Sequence, residues 1–139
     1  MKWRVAVDRA VAPLGLTHAQ YSLLASLYGM TRDGQQPSQR QLADHIGLEP
    51  IYVSKLARAL EGAGLVERAG NPRDTRAVQL ALTPDGVDVV KQAIVIVGAL
   101  QERLTAPLGG TRSKSTRALV NTLTALLAVP FPDTTGEQP

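Results

Sequence analysis

The chain has 139 residues, with 15 Lys and Arg against 12 Asp and Glu and a formal net charge of +3. That length supports one core of useful size, and a 44% hydrophobic content is too high for a disordered chain. With no Cys there is no disulfide framework, thiolate catalyst, thiol redox sensor or Cys-ligated metal, and two His (His18 and His45) leave little for any other metal site, so no metal and no cofactor is expected.

The first residues, MKWRVAVDRAV, scatter charges through an apolar pattern and do not read as a signal peptide. They place Trp3, Val7, Ala10 and Val11 on one helical face, and Pro13 and Gly15 end that helix. Thr17 caps a second helix, with Gln20 at capping-box spacing. Tyr21, Leu24 and Tyr28 lie on one of its faces, Leu23 and Leu27 on the next. Residues 29–37, GMTRDGQQP, are expected to form a loop. Ser38 caps a third helix, again with Gln41 in the reciprocal position, running through Leu42, Ala43 and Ile46 to Gly47.

Residues 48–50 form a tight turn, and Pro50 suits the first turn of a fourth helix. That helix carries Val53, Leu56 and Leu60 on one face and stops at Gly64. Residues 65–68 read as a short strand, and Val78, Leu80 and Leu82 alternate with Gln79 and Ala81 as a second. The polar residues 69–76 between them make a hairpin with a long tip. Thr83 and Pro84 open a fifth helix. Its apolar residues fall on two stripes, Val87, Val90, Ile94 and Val97 and then Val89, Ala93, Ile96, Leu100 and Leu104, so it needs cover on two sides. Residues 107–110, PLGG, break it. A sixth helix, about residues 111–128, carries Leu119, Leu123, Leu126 and Leu127 along one side. Residues 130–139 are expected to be a flexible tail. The longest stretch without polar side chains, residues 93–100, falls far short of the ~20 needed to span a bilayer, so a cytoplasmic protein with no membrane contact is expected.

Helix, Gly-containing turn, helix, then hairpin is the order of a winged helix-turn-helix. Gly47 supplies the sharp turn, and Ala43 is small where the two helices must cross. The outer face of the fourth helix then shows Ile51, Tyr52, Ser54, Lys55 and Arg58. A major groove admits one helix, read by its N-terminal residues. Lys55 and Arg58 reach phosphates or guanine edges, Tyr52 offers a hydroxyl, and Ile51 suits a thymine methyl. Ser38 and Gln39, opening the third helix, join the expected DNA contacts. On the hairpin tip, Arg73 and Arg76 suit a narrow minor groove, and Asp74 between them is expected to brace the loop.

Three segments resemble motifs of the MarR-type (multiple antibiotic resistance) regulators. LEGAGLVER at residues 60–68 resembles their L-E-x-x-G-L-V-x-R. PRDTRAV at 72–78 resembles their D-x-R wing motif, and LTPDG at 82–86 the opening of their long dimerisation helix. Leu14, Gly15, Leu16 and Thr17 with Gln20 and Tyr21 resemble the link between their first helices. The resemblance covers nearly the whole chain. It implies a mainly α fold with one β-hairpin, built as one MarR-like domain over residues 1–139. Within it, residues 17–82 are the winged helix-turn-helix lobe, and residues 1–14 and 83–128 the dimerisation helices. It implies a homodimer on a palindromic operator in double-stranded DNA, usually as a repressor. It also implies a small-molecule effector site where the dimer layer meets the DNA-binding lobe, here around Trp3, His18 and Tyr21. Ile51 and Tyr52 stand where many members have small hydroxyl residues, so the base readout is expected to differ.

Plainer readings stand beside these. Taken alone, Lys55 and Arg58 are a solvated helix face, and Arg73 and Arg76 a charged loop; the order of motifs reverses that preference. His18 and His45 alone are surface residues, and Tyr21 and Tyr28 core residues. The alternative function is a winged-helix module that docks proteins without reading DNA, favoured by the low polarity of Ile51 and Tyr52. No phosphate loop, G-x-S-x-G or H-E-x-x-H is present and no carboxylate pair stands out, so no catalytic residue is assigned and no enzyme is expected.

Overall fold

The computed structural model describes residues 2–71 and 73–129, without the side chains of Thr75 and Arg76. Its elements are α1 (Lys2–Val11), α2 (His18–Arg32), α3 (Gln39–Ile46), α4 (Pro50–Gly62), β1 (Val66–Asn71), β2 (Asp74–Leu82), α5 (Pro84–Thr105) and α6 (Lys114–Leu127). Short 3-10 turns follow α1 and α5. The expected tail at residues 130–139 lies outside the described residues.

Chain contacts divide into two compact units, Met1–Gly98 and Ala99–Pro139, with the boundary inside α5. The first unit holds the core. Leu23, Leu24 and Leu27 of α2, Leu42 and Ala43 of α3, and Val53, Leu56, Ala57 and Leu60 of α4 are buried with Val7, Val11, Leu16, Val66 and Leu80. On α5 the buried positions are Gly86, Val90, Ala93 and Val97. Their spacing of four, three and four residues follows one line along a helix. The buried stripe therefore draws members from both stripes expected from sequence, while Ile94 and Leu104 remain exposed.

Local chemistry explains most boundaries. Both capping boxes form: Thr17 with Gln20, and Ser38 with Gln41. Gly47 ends α3 in the left-handed region at φ 71°, which a residue with a Cβ adopts only at a cost.

Three expectations need correction. Residues 29–32 are not loop, because α2 continues through Gly29 to Arg32 and is capped by Asp33. Gly29 keeps helical dihedrals, and the positive φ that ends the run belongs to Gly34. The hairpin tip is shorter than residues 69–76: the strands pair from Val66 with Leu82 to Asn71 with Asp74, and the register slips between Gly70 and Asn71. Backbone pairing thus accommodates polar residues that hydropathy alone assigns to a loop. Finally, α6 starts at Lys114, not near Thr111. Ser113 is its N-cap, accepting from the Thr116 N–H at 3.1 Å, while the Thr111 hydroxyl turns to the Glu102 carboxylate.

In the second unit the buried polar residue is Thr116, whose hydroxyl donates to the Gly110 carbonyl at 2.6 Å. The apolar side of α6 lies open: Leu119, Leu123, Leu126 and Leu127 are all exposed.

Candidate nucleic-acid interface

The helix pair is set by small residues and a tight turn. Ala43 is buried at the crossing of α3 and α4, and its carbonyl accepts from both Gly47 and Leu48 N–H groups. Pro50 occupies the first turn of α4. With Val53, Leu56, Ala57 and Leu60 turned to the core, the opposite side of α4 must face solvent. There Ile51 is 72% exposed and Tyr52 40%, with Lys55 and Arg58 beyond them and Ser54 half-buried. These residues share one outward strip, as sequence spacing requires.

The hairpin lies beside this pair. The Leu80 N–H donates to the Pro37 carbonyl at 3.1 Å, and Ser38 makes an isolated antiparallel bridge with Gln79, so the residues before α3 are joined to β2. Ser38 is consequently half-buried, and its hydroxyl accepts from the Gln41 N–H at 3.1 Å. Its first role is structural. Gln39 follows it, and the Oε1 of that side chain accepts from Arg68 Nε at 3.2 Å. Arg73 is exposed near the tip, and its N–H donates to Asn71 Oδ1 at 2.9 Å. Asn71 therefore accepts within the turn as an Asx turn, which the sequence signalled only as part of a polar run. Asp74 opens β2 opposite it. The Arg76 side chain lies outside the described residues.

Of the expected trio Trp3, His18 and Tyr21, His18 borders a hollow beside α1. His18 lines a hollow of about 180 Å³ with Arg4, Ala19, Ser22, Ile46, Leu48 and Tyr52. Trp3 and Tyr21 are not among its lining residues. Trp3 is 41% exposed, and burial pushes the half-buried Tyr21 phenol above its ordinary pKa. Asp8 Oδ1 accepts from the His18 N–H at 2.6 Å, tying α1 to the start of α2. Among the described residues no cluster of three or more His, Asp or Glu stands together as a metal site, and no helix is long and apolar enough to cross a membrane.

Comparison with known proteins decides the family. The model described as MarR family matches residues 16–78. An uncharacterized HTH-type transcriptional regulator, YdcH, of Bacillus subtilis (strain 168) is 36% identical over 104 residues, which cover 75% of this chain and 71% of that protein. The chain belongs to the MarR family. A MarR-family fold is also what the solved structures give. The transcriptional regulator MOSR of M. tuberculosis, crystallised in complex with DNA, matches with a TM-score of 0.71 at 27% identity, over 91% of this chain and 89% of that one. An HTH-type transcriptional repressor of Mycobacterium tuberculosis is 30% identical over 122 residues, 86% of this chain and 84% of that one. This MarR-family chain is thus a winged helix-turn-helix transcriptional regulator by kinship.

Proposed function

We propose that this chain binds double-stranded DNA sequence-specifically as a homodimer on a palindromic operator, represses transcription, and is released by a small-molecule ligand. The observation that carries the reading is the outward strip of α4. Four side chains of distinct recognition chemistry, Ile51, Tyr52, Lys55 and Arg58, stand exposed on a helix whose other side is sealed in the core. An exposed Arg73 stands at the end of the adjoining hairpin. A helix so placed enters a major groove while the wing reaches the flanking groove. The DNA complex of MOSR is consistent with this.

Selection of bound duplexes from a random pool tests it. The expected product is an inverted repeat bound less tightly as salt rises. Lys55→Ala and Arg58→Ala are each expected to cost about 1–3 kcal/mol of operator binding if the side chain reads a base, with relaxed preference at one position. Equal weakening on all sequences assigns that side chain to phosphate instead. Unchanged affinity of the folded double variant overturns the assignment of α4. Arg73→Ala is expected to cost about 1 kcal/mol and to reduce the preference for A·T-rich flanks. A variant that binds like its parent at every salt concentration removes the wing from the interface.

The exposure of Ile51 favours a second reading, a protein-docking winged helix. Its mark is a random pool that yields no enriched sequence. For control, the candidate effector site is the hollow that His18 of the expected trio shares with Arg4, Ser22 and Tyr52. Tyr52 lies both on this wall and on the reading helix. A ligand better bound when α4 is displaced therefore lowers DNA affinity. Small aromatic acids that raise the melting temperature and weaken operator binding together support this, and stabilisation without loss of DNA binding refutes it.

A further inference from the structure

Arg68 of β1 faces the wrong way for a surface cation. Strand alternation puts it on the same side as buried Val66, and it pairs across the hairpin with Leu80, which is also buried. A guanidinium whose stem covers apolar surface must still find acceptors for its N–H groups. Arg68 finds two. Nε donates to Gln39 Oε1 at 3.2 Å, and Nη1 lies 3.9 Å from a carboxylate oxygen of Glu61. Glu61 is near the end of α4 and Gln39 is the first residue of α3, so one side chain ties the hairpin to both helices of the pair.

The bond to Gln39 has a chemical consequence. A guanidinium N–H only donates, so the amide atom facing it is the oxygen, and the orientation of the Gln39 carboxamide is fixed. Among the described residues the Gln39 amide nitrogen makes no hydrogen bond of its own, which leaves its two N–H groups as donors. Gln39 also lines, with Arg40, Pro50 and Asp74, a hollow of about 470 Å³ among the starts of α3 and α4 and the hairpin. In a helix-turn-helix the first helix crosses the DNA backbone while the second reads bases.

We infer that Arg68 is a positioning residue that locks Gln39 as a donor to a backbone phosphate oxygen. Gln39 then adds affinity without reading sequence, and Arg68 acts on DNA only through it. The inference rests on the DNA-binding reading above.

The test uses the full-length protein and the duplex it selects from a random pool. Gln39→Glu keeps an acceptor toward Arg68, now charged, but presents oxygen where a donor stood. It is expected to lower affinity about tenfold or more, on operator and on random duplex alike, at an unchanged melting temperature. Gln39→Met, neutral and without donors, is expected to lose affinity in the same uniform way to a smaller degree. Arg68→Ala is expected to weaken binding in the parent and to add nothing in the Gln39→Met background. If Gln39→Glu binds as tightly as the parent, Gln39 is not a donor and the inference falls. If Arg68→Ala weakens binding equally in both backgrounds, Arg68 does not act through Gln39 and the inference also falls. A parent that selects no duplex sinks the DNA-binding reading itself, an outcome distinct from either.

Discussion

Gly86→Ala is expected to destabilise the protein by about 3 kcal/mol or more, the largest effect of an alanine at any described glycine. A Cβ at position 86 would lie 1.9 Å from the Leu65 carbonyl oxygen and 2.9 Å from its carbon. The obstacle is backbone, and it is held on both sides. The Leu65 N–H donates to Leu60 at 3.0 Å, and its carbonyl accepts from the Thr83 N–H at 3.1 Å. Thr83 adds a second tie, its hydroxyl donating to the Gly64 carbonyl at 2.6 Å and accepting from the Gly86 N–H at 3.0 Å. Relief requires lifting the first turn of α5 from the root of β1, which uncovers Val90 on the same buried stripe. Urea unfolding measures the loss. Gly29→Ala is the control: nothing lies within 4 Å of a Cβ there, and α2 is helical at that point. An Ala at Gly29 is expected to stabilise by about 0.5–1 kcal/mol through helix propensity. Equal stability of Gly86→Ala and parent would show that α5 does not approach β1 this closely.

Gly86 also shows what is and is not legible in a sequence. The segment LTPDG announced a helix start correctly, because Thr83 and Pro84 act through local chemistry. It gave no sign that the next glycine is required by a carbonyl twenty-one positions upstream. The same division runs through the chain. Both capping boxes, the Gly47 turn and the buried face of α4 follow from residues within a few positions of one another. The end of α2 was misplaced because Gly29 and Gly34 carry the same letter, and only the backbone says which takes positive φ. The strip Ile51, Tyr52, Lys55 and Arg58 was readable from helical spacing alone. Arg68 entered only as the last letter of the LEGAGLVER segment, with no role given, although a charge at a core-facing strand position was a usable signal. Glu61 is a letter of the same LEGAGLVER segment and Gln39 an expected DNA contact, but nothing in the sequence joins the three side chains. Asn71 was hidden for a different reason: in a run of turn-forming residues, composition cannot say which side chain closes the turn.

Leu123→Asp is expected to dissociate the proposed homodimer into monomers and to lower operator affinity by about 10²–10⁴-fold. The second unit offers the physical reason. On α6, Leu119, Leu123, Leu126 and Leu127 are all at least 47% exposed in the single chain, and the side chains are too large and too aligned for a solvated helix. Residues at 119, 123 and 126 recur at helical spacing, so one partner surface covers them together. A second copy of the chain supplies a self-complementary surface at no cost in new sequence. An Asp at the centre of that stripe must be desolvated on association and has no cation aligned with it on α6. The core of the first unit does not include Leu123, so helical content is expected to be retained in circular dichroism. In the proposed homodimer, two winged lobes are expected to engage half-sites about 34–36 Å apart, one helical turn of DNA, each lobe raising the local concentration of the other. Once the dimer dissociates, each lobe meets only a half-site. Light scattering and operator titration on the same samples separate the outcomes. A variant that stays dimeric removes α6 from the interface, and a monomeric variant that binds the full operator like its parent removes the dimer from the mechanism. The expected pairing, monomer with intact fold and half-site affinity, ties the exposed leucines of α6 to the spacing of the two reading helices.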